Sequence, residues 1–307
     1  MSGGGGGRVR AFLRLVAVEH SVFALPFAYL SALTAMYLEA EGGWFAYAPA
    51  EKASGWVRWD VLGLVTVAMV AARTFAMAAN RIIDRHVDAR NPRTAGRELV
   101  TGAVSLRTAY VGSAVALAVF FVAAGLLNPL CLVLSPLAVA PMVIYPYGKR
   151  FTDFPHAILA AAQAVAPAGA WLAVTGTFDG AGPAIVLGVA VGLWIGGFDL
   201  IYACMDAETD RTIGVRSFPA RFGVAAALHT STAAHVVTFG LFAWFGALTG
   251  FGWLFWVGLA LTAAAFVYEH SIVKPSDLSR VNRAFFTANG FVGIALFGFS
   301  LADLLLR

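Results

Sequence analysis

Asn80-Arg81-Ile82-Ile83-Asp84-Arg85-His86-Val87-Asp88 closes a long apolar run that begins near Val61, and Ala89-Arg90-Asn91-Pro92-Arg93-Thr94-Ala95-Gly96-Arg97-Glu98-Leu99 follows at once. Three polar groups break the apolar run at intervals of four. A step of four residues turns a helix through about 400°, so Asn80, Asp84 and Asp88 share one slightly inclined stripe. One amide carbonyl and two carboxylates on a stripe suit a hard divalent cation such as Mg²⁺, above all one shared with phosphate oxygens. The arginines beyond, Arg93 and Arg97 among them, are suited to the remaining phosphate charge.

A matching stretch lies further along: Asp199-Leu200-Ile201-Tyr202-Ala203-Cys204-Met205-Asp206-Ala207-Glu208-Thr209-Asp210-Arg211. Asp199, Tyr202, Asp206 and Asp210 again fall on one helical face. This stretch too ends an apolar run and leads into arginines. The two acidic faces are read as the two walls of one metal–diphosphate site. Asn80, Asp84, Asp88, Asp206 and Asp210 are its candidate metal ligands.

Composition sets the surroundings of such a site. The chain is 60% hydrophobic and 12% charged, with mean hydropathy +0.77, against about 25% charged for a soluble domain. That predicts an integral membrane protein. The net charge of +4 then bears on topology before it implies any nucleic-acid partner, and none is expected. Cys131 and Cys204 both lie in apolar runs and suggest packing rather than a disulfide or a zinc site. The first ten residues, rich in glycine, read as a flexible tail, and 11–307 as a single transmembrane domain.

Apolar runs long enough to span a bilayer, about 20 residues each, fall near 16–38, 60–83, 103–124, 126–146, 155–175, 183–204, 224–248, 252–270 and 285–306. The expected fold is all-α, about nine transmembrane helices in one bundle. With the N-terminus in the cytoplasm, 17 of the 21 basic residues fall in cytoplasmic loops, which obeys the positive-inside rule. Both acidic stripes then face the cytoplasm, at the C-terminal ends of their helices. There the helix dipole disfavours carboxylates, and cations between the stripes remove the conflict.

These residues resemble the UbiA superfamily of intramembrane aromatic prenyltransferases. The resemblance rests on Asn80-x-x-x-Asp84-x-x-x-Asp88, on Tyr145-Pro-Tyr-Gly-Lys149, and on Asp199 with Asp206-x-x-x-Asp210. Glu19-His20-Ser21-Val22-Phe23-Ala24-Leu25-Pro26-Phe27-Ala28 and the segment 93–99 look most like the bacterial quinone-pathway branch, which acts on 4-hydroxybenzoate or a hydroxynaphthoate. The resemblance implies a polyprenyl diphosphate held through Mg²⁺ on both stripes, with Lys149, Arg150, Arg93, Arg97 and Arg211 as diphosphate contacts. It implies a lipid-embedded enzyme of the bacterial inner membrane, with its site open to the cytoplasm, that joins the prenyl group to an aromatic acid.

Simpler readings stand beside these. Lys149 and Arg150 satisfy the positive-inside rule without any ligand, and Glu269 and His270 read as a solvated helix end. Acidic residues in spans also mark ion pathways, so a transporter is the alternative class. Arg73 and Asp199 each precede a stripe by seven residues, roughly 10 Å deeper at 1.5 Å per residue. Either they form an ion pair between helices, or they line the acceptor pocket, Arg73 on the carboxylate and Asp199 on the ring hydroxyl or beside the allylic cation.

Overall fold

The structure, a computed structural model, describes Leu15, residues 24–41 and residues 55–306. The glycine-rich tail, Glu19, His20 and Trp44 lie outside the described residues. Helices account for nearly all of the rest, and no strand occurs among the described residues beyond one isolated bridge at Lys274 and Asp277. In chain order they are α1 (Leu25–Ala40), α2 (Trp59–Asp88), α3 (Leu106–Leu127), α4 (Pro129–Phe151), α5 (Pro155–Thr175), α6 (Gly182–Ala203), α7 (Ala207–Ile213), α8 (Phe218–Phe222), α9 (Val224–Leu248), α10 (Trp253–Ile272), α11 (Val281–Arg283) and α12 (Asn289–Leu306).

Local chemistry sets the ends. Ser105 caps α3 by accepting from the Thr108 amide at 3.1 Å, and Asn128 caps α4 by accepting from the Cys131 amide at 2.9 Å. Pro129 and Pro155 occupy first helical positions, where a missing N–H costs nothing. Gly214 ends α7 in the left-handed conformation (φ 74°) that a side chain resists.

Eight helical stretches are long and apolar enough to cross a bilayer. They correspond to all the expected spans after the first. The first expected span is represented by α1, 16 residues long, and the remainder of that run lies outside the described residues. Two expected spans continue further: a 3₁₀ turn, Cys204–Asp206, joins α6 to α7, and a π-helical turn, Ala284–Ala288, precedes α12.

The bundle has a dense half and an open half. Phe27, Trp171, Trp194, Phe242, Phe245 and Phe255 are fully buried where α1, α5, α6, α9 and α10 meet. Helix α6 is central and mostly buried. It approaches α5 through Gly188, Gly192 and Gly196, one per turn. A Cβ at Gly188 would lie 2.5 Å from the Ala164 carbonyl oxygen, and one at Gly192 2.5 Å from that of Ala160. Small residues at this spacing let transmembrane backbones touch. Helices α3 and α4 present Val111, Val115, Val133 and Leu137 outward, an apolar surface suited to lipid.

Candidate active site

The last turn of α2 carries the first carboxylates inward. Asp84 is 0% exposed; its Oδ2 accepts from Lys149 Nζ at 2.7 Å, while its Oδ1 is buried with no hydrogen-bond partner. Asp88 Oδ1 accepts from Arg97 Nη1 at 2.6 Å. Arg97 can reach back because the chain folds into tight turns after α2, tied by Thr94 Oγ1 donating to the Asp88 carbonyl at 3.0 Å.

The same turns bridge to the second stretch. Asn91 Nδ2 donates to Asp206 Oδ1 at 3.0 Å, Arg93 Nε donates to that oxygen at 2.8 Å, and Arg93 Nη2 donates to Asp206 Oδ2. Arg93 Nη1 donates to the Tyr202 hydroxyl at 3.0 Å, with the guanidinium 5.0 Å from the centre of that ring. Asp210 Oδ2 accepts from Ser217 Oγ at 2.8 Å. The two acidic stretches, far apart in sequence, thus face a common set of basic groups.

Several expectations need correction. The second stripe is not one continuous α-helical face, because the 3₁₀ turn at Cys204–Asp206 changes the register between Tyr202 and Asp210. The carboxylates also have neutralising charge of their own, from Lys149, Arg97 and Arg93. These cations resolve the conflict with the helix dipole that the sequence left for metal ions alone. Arg150 points elsewhere: Nη2 donates to the Ile83 carbonyl at 2.7 Å, and the guanidinium lies 4.9 Å from the centre of the Tyr147 ring. Arg211 is spent on the Ala220 and Pro219 carbonyls. Neither is paired with the carboxylates. Nearby, hydrogen bonds from Arg216 hold the half-buried Asp153 carboxyl below its usual range.

Beneath the carboxylates lies a cavity of about 610 Å³ between α2, α4, α5 and α6, apolar except for a few groups that include Arg73, Asn80, Tyr145, Asp199 and Tyr202. Val70 and Leu137 line it and are also exposed on the outer surface, so the cavity is continuous with the apolar exterior. Arg73 and Asp199 both reach this cavity and do not pair with each other. Asp199 Oδ2 lies 2.6 Å from His156 Nδ1 instead, and Arg73 Nε is buried without a partner.

Residues 43–291 match the profile of the UbiA prenyltransferase family. The chain belongs to that family. This UbiA-family chain is 30% identical over 298 residues to 4-hydroxybenzoate octaprenyltransferase of Burkholderia vietnamiensis, covering 94% of each chain. It is 35% identical over 236 residues to the enzyme of that name from Nitrosococcus oceani, covering 76% of this chain and 81% of that one. Among solved structures, the apo form of a UbiA homologue from Aeropyrum pernix superposes with a TM-score of 0.79 at 34% identity, covering 93% of this chain and 98% of that one. A UbiA homologue from Archaeoglobus fulgidus bound to GPP and Mg²⁺ shares the fold, with a TM-score of 0.66 at 19% identity over 96% and 99% of the two chains. The protein is an integral membrane prenyltransferase, and the transporter alternative falls away.

The donor set of this UbiA-family site fits a hard divalent cation. Asn80, Asp84, Asp88, Asp206 and Asp210 offer only oxygen for coordination, and Asp84 Oδ1 is a buried carboxylate oxygen awaiting a positive partner. Three participants were not singled out from the sequence. Asn91 sits inside the quoted segment without a spacing signal, and Ser217 follows an arginine-bearing loop. His156 begins a helix 43 residues before the aspartate it meets; only tertiary packing brings the two together.

Proposed function

We propose that this enzyme transfers a polyprenyl group from a polyprenyl diphosphate to the ring of a phenolic acid, 4-hydroxybenzoate or a hydroxynaphthoate, in quinone biosynthesis. The observation that carries the reading is the stacking of two unlike sites. A doubled cluster of carboxylates with basic partners lies directly above an apolar cavity with Arg73 and Asp199 in its wall. The names of the relatives support the acceptor class.

Asn80, Asp84, Asp88, Asp206 and Asp210 would hold Mg²⁺. When bound, the metal neutralises charge on the diphosphate and lowers the barrier to its departure. Lys149, Arg93 and Arg97 exchange carboxylate partners for diphosphate oxygens, so positive charge is in place where negative charge develops. Arg150 and Arg211 serve one step back, by fixing the chain that carries Lys149 and the loop that carries Ser217. The cavity, open to the apolar exterior along Val70 and Leu137, takes the isoprenoid and excludes water from the allylic cation. Arg73 binds the acceptor carboxylate. Asp199, oriented by His156, accepts the hydrogen bond of the ring hydroxyl and raises the electron density of the ring. The C–O bond breaks first, its electron pair leaving with diphosphate; a ring carbon then forms the new C–C bond to the allylic cation, and the ring proton leaves to restore aromaticity. The site opens to the cytoplasmic face of a bacterial inner membrane, the side on which the sequence places most basic loops.

Purified protein incubated with Mg²⁺, labelled polyprenyl diphosphate and a panel of phenolic acids tests this. Prenylated 4-hydroxybenzoate or hydroxynaphthoate is the expected product. Release of diphosphate without prenylation of any phenolic acid would sink the acceptor assignment.

A further inference from the structure

A second polar cluster lies on the other side of α6, between α9 and α10. His235, Glu269 and His270 bring one ligand atom each to within 4.8 Å of one another. His235 is 2% and Glu269 0% exposed, so the sequence expectation of a solvated helix end fails for Glu269. The cluster meets α6 between Trp194 and Gly197, nine to twelve residues before Asp206 and so roughly 13–18 Å along the helix at 1.5 Å per residue. It is separate from the diphosphate site.

Accounting for protons shows what the cluster lacks. His235 Nε2 lies 3.2 Å from the Trp194 carbonyl oxygen, which can only accept, so Nε2 carries the proton. Neutral His235 therefore presents a bare lone pair at Nδ1. The Thr232 hydroxyl donates its one proton to the Leu228 carbonyl at 2.9 Å, so His270 Nδ1, 3.2 Å from Thr232 Oγ1, is the donor of that pair. Neutral His270 then presents a lone pair at Nε2. The Trp194 indole N–H donates to Asn289 Oδ1 at 2.7 Å, which turns Asn289 Nδ2 toward Glu269 Oε1, also at 2.7 Å. Glu269 Oε2 is left buried and without a hydrogen-bond partner. Three lone pairs converge: His235 Nδ1 is 2.9 Å from His270 Nε2 and 3.4 Å from Glu269 Oε2. Lone pairs so placed call for a bridging proton or metal ion between them.

We propose that His235, Glu269 and His270 form a second metal site, for a divalent transition metal of the Zn²⁺ class. Two imidazole nitrogens and one carboxylate suit that class rather than Mg²⁺. Each ligand is already oriented through its far atom, by the Trp194 carbonyl, Thr232 and Asn289, as the outer shell of a metal site requires. Gly197 makes room for the first ligand, since a Cβ there would stand 2.6 Å from His235 Nε2. A groove of about 480 Å³, lined by Thr232, Val236, Phe239 and Phe266, reaches His235 and His270 from the outer surface, the side from which a fourth ligand would enter. The metal ties α9 to α10.

The test uses detergent-purified, chelator-stripped full-length protein, titrated with Zn²⁺ or Co²⁺ in excess Mg²⁺, which competes for the oxygen-only carboxylates. One Zn²⁺ per chain should survive gel filtration, and Co²⁺ should give visible d–d bands. Glu269→Gln and His270→Gln should each abolish the retained metal and the bands. Thr232→Val should weaken binding about tenfold to a hundredfold, and Asp84→Asn should leave it unchanged. His270 is partly exposed, so its variant remains informative if the Glu269 variant does not fold. Wild-type protein that retains no Zn²⁺ would overturn the proposal and leave a shared proton to satisfy the cluster. Retention unchanged in His270→Gln, or lost in Asp84→Asn, would place the metal elsewhere and overturn it equally.

Discussion

Asp84 Oδ1, buried and unpartnered, marks the residue on which the proposed chemistry turns. Asp84→Asn keeps the shape and removes the charge, so turnover should fall by at least about a hundredfold, while the protein elutes as a folded species in detergent. Near-normal turnover would remove Asp84 from the machinery. Arg73→Leu deletes a charged donor from the cavity wall. Hydrogen bonds to charged groups contribute about 1.5–3 kcal/mol, so the acceptor KM should rise about tenfold to a hundredfold with the KM for prenyl diphosphate little changed. An unchanged acceptor KM would place the acceptor carboxylate elsewhere. The residues of both predictions were legible in the sequence because acids and an arginine inside apolar runs are costly and stand out. The partners were not. Nothing in the spacing of Asp199 indicates His156, and only the Tyr145-to-Lys149 motif separates Lys149 from its neighbour Arg150. Which of two adjacent cations turns inward is decided by helix phase against α2, a tertiary fact.

At the scale of helices, hydropathy located the spans after the first to within a few residues at most ends, because about 20 apolar residues have few other uses. It could not show where helices depart from α geometry. The 3₁₀ turn at Cys204–Asp206 arises at the change from apolar to acidic sequence, and it places Asp206 under Arg93 rather than in register with Asp210. The contact of α5 with α6 was equally hidden, since Gly188, Gly192 and Gly196 are ordinary in an apolar run until the facing carbonyls are known. A valine at Gly192 meets the Ala160 carbonyl oxygen at 2.5 Å. Overpacking of this kind costs about 1–3 kcal/mol, so Gly192→Val should lower the thermal midpoint in detergent, where Gly169→Val, whose added Cβ meets open space, should do far less. Equal midpoints for the two would mean that the helices simply move apart. The loops carry a pH signature as well. The Asp153 carboxyl is held below its usual range by Arg216, so its contribution is present above the unfolded value and lost as pH falls through the folded one. Acidification through that window should speed tryptic cleavage after Arg216; a rate independent of pH beyond the protease's own profile would show that the pair does not hold the loop.

For the molecule as a whole, the dense half fixes α6 and the open half keeps a cavity beside it, so one rigid helix presents Asp199 and leads to Asp206. Removal of divalent cations with EDTA should abolish prenyl transfer, and Mg²⁺ should restore it; activity that persists through exhaustive chelation would refute the metal–diphosphate reading. The ion pairs Lys149–Asp84, Arg97–Asp88 and Arg93–Asp206 have a further consequence. With three of its four carboxylates already paired with cations, the resting site offers less to a metal alone, which would face those cations, or to a diphosphate alone, which would face the carboxylates. The two gain most by arriving together, each taking the half of every pair that the other releases. Binding should therefore behave as a coincidence detector: by thermodynamic reciprocity, each ligand raises the affinity of the other by the same factor. Calorimetry with a non-hydrolysable diphosphate analogue, with and without Mg²⁺, should show that mutual enhancement, and Lys149→Ala should shrink it by letting the metal bind unaided.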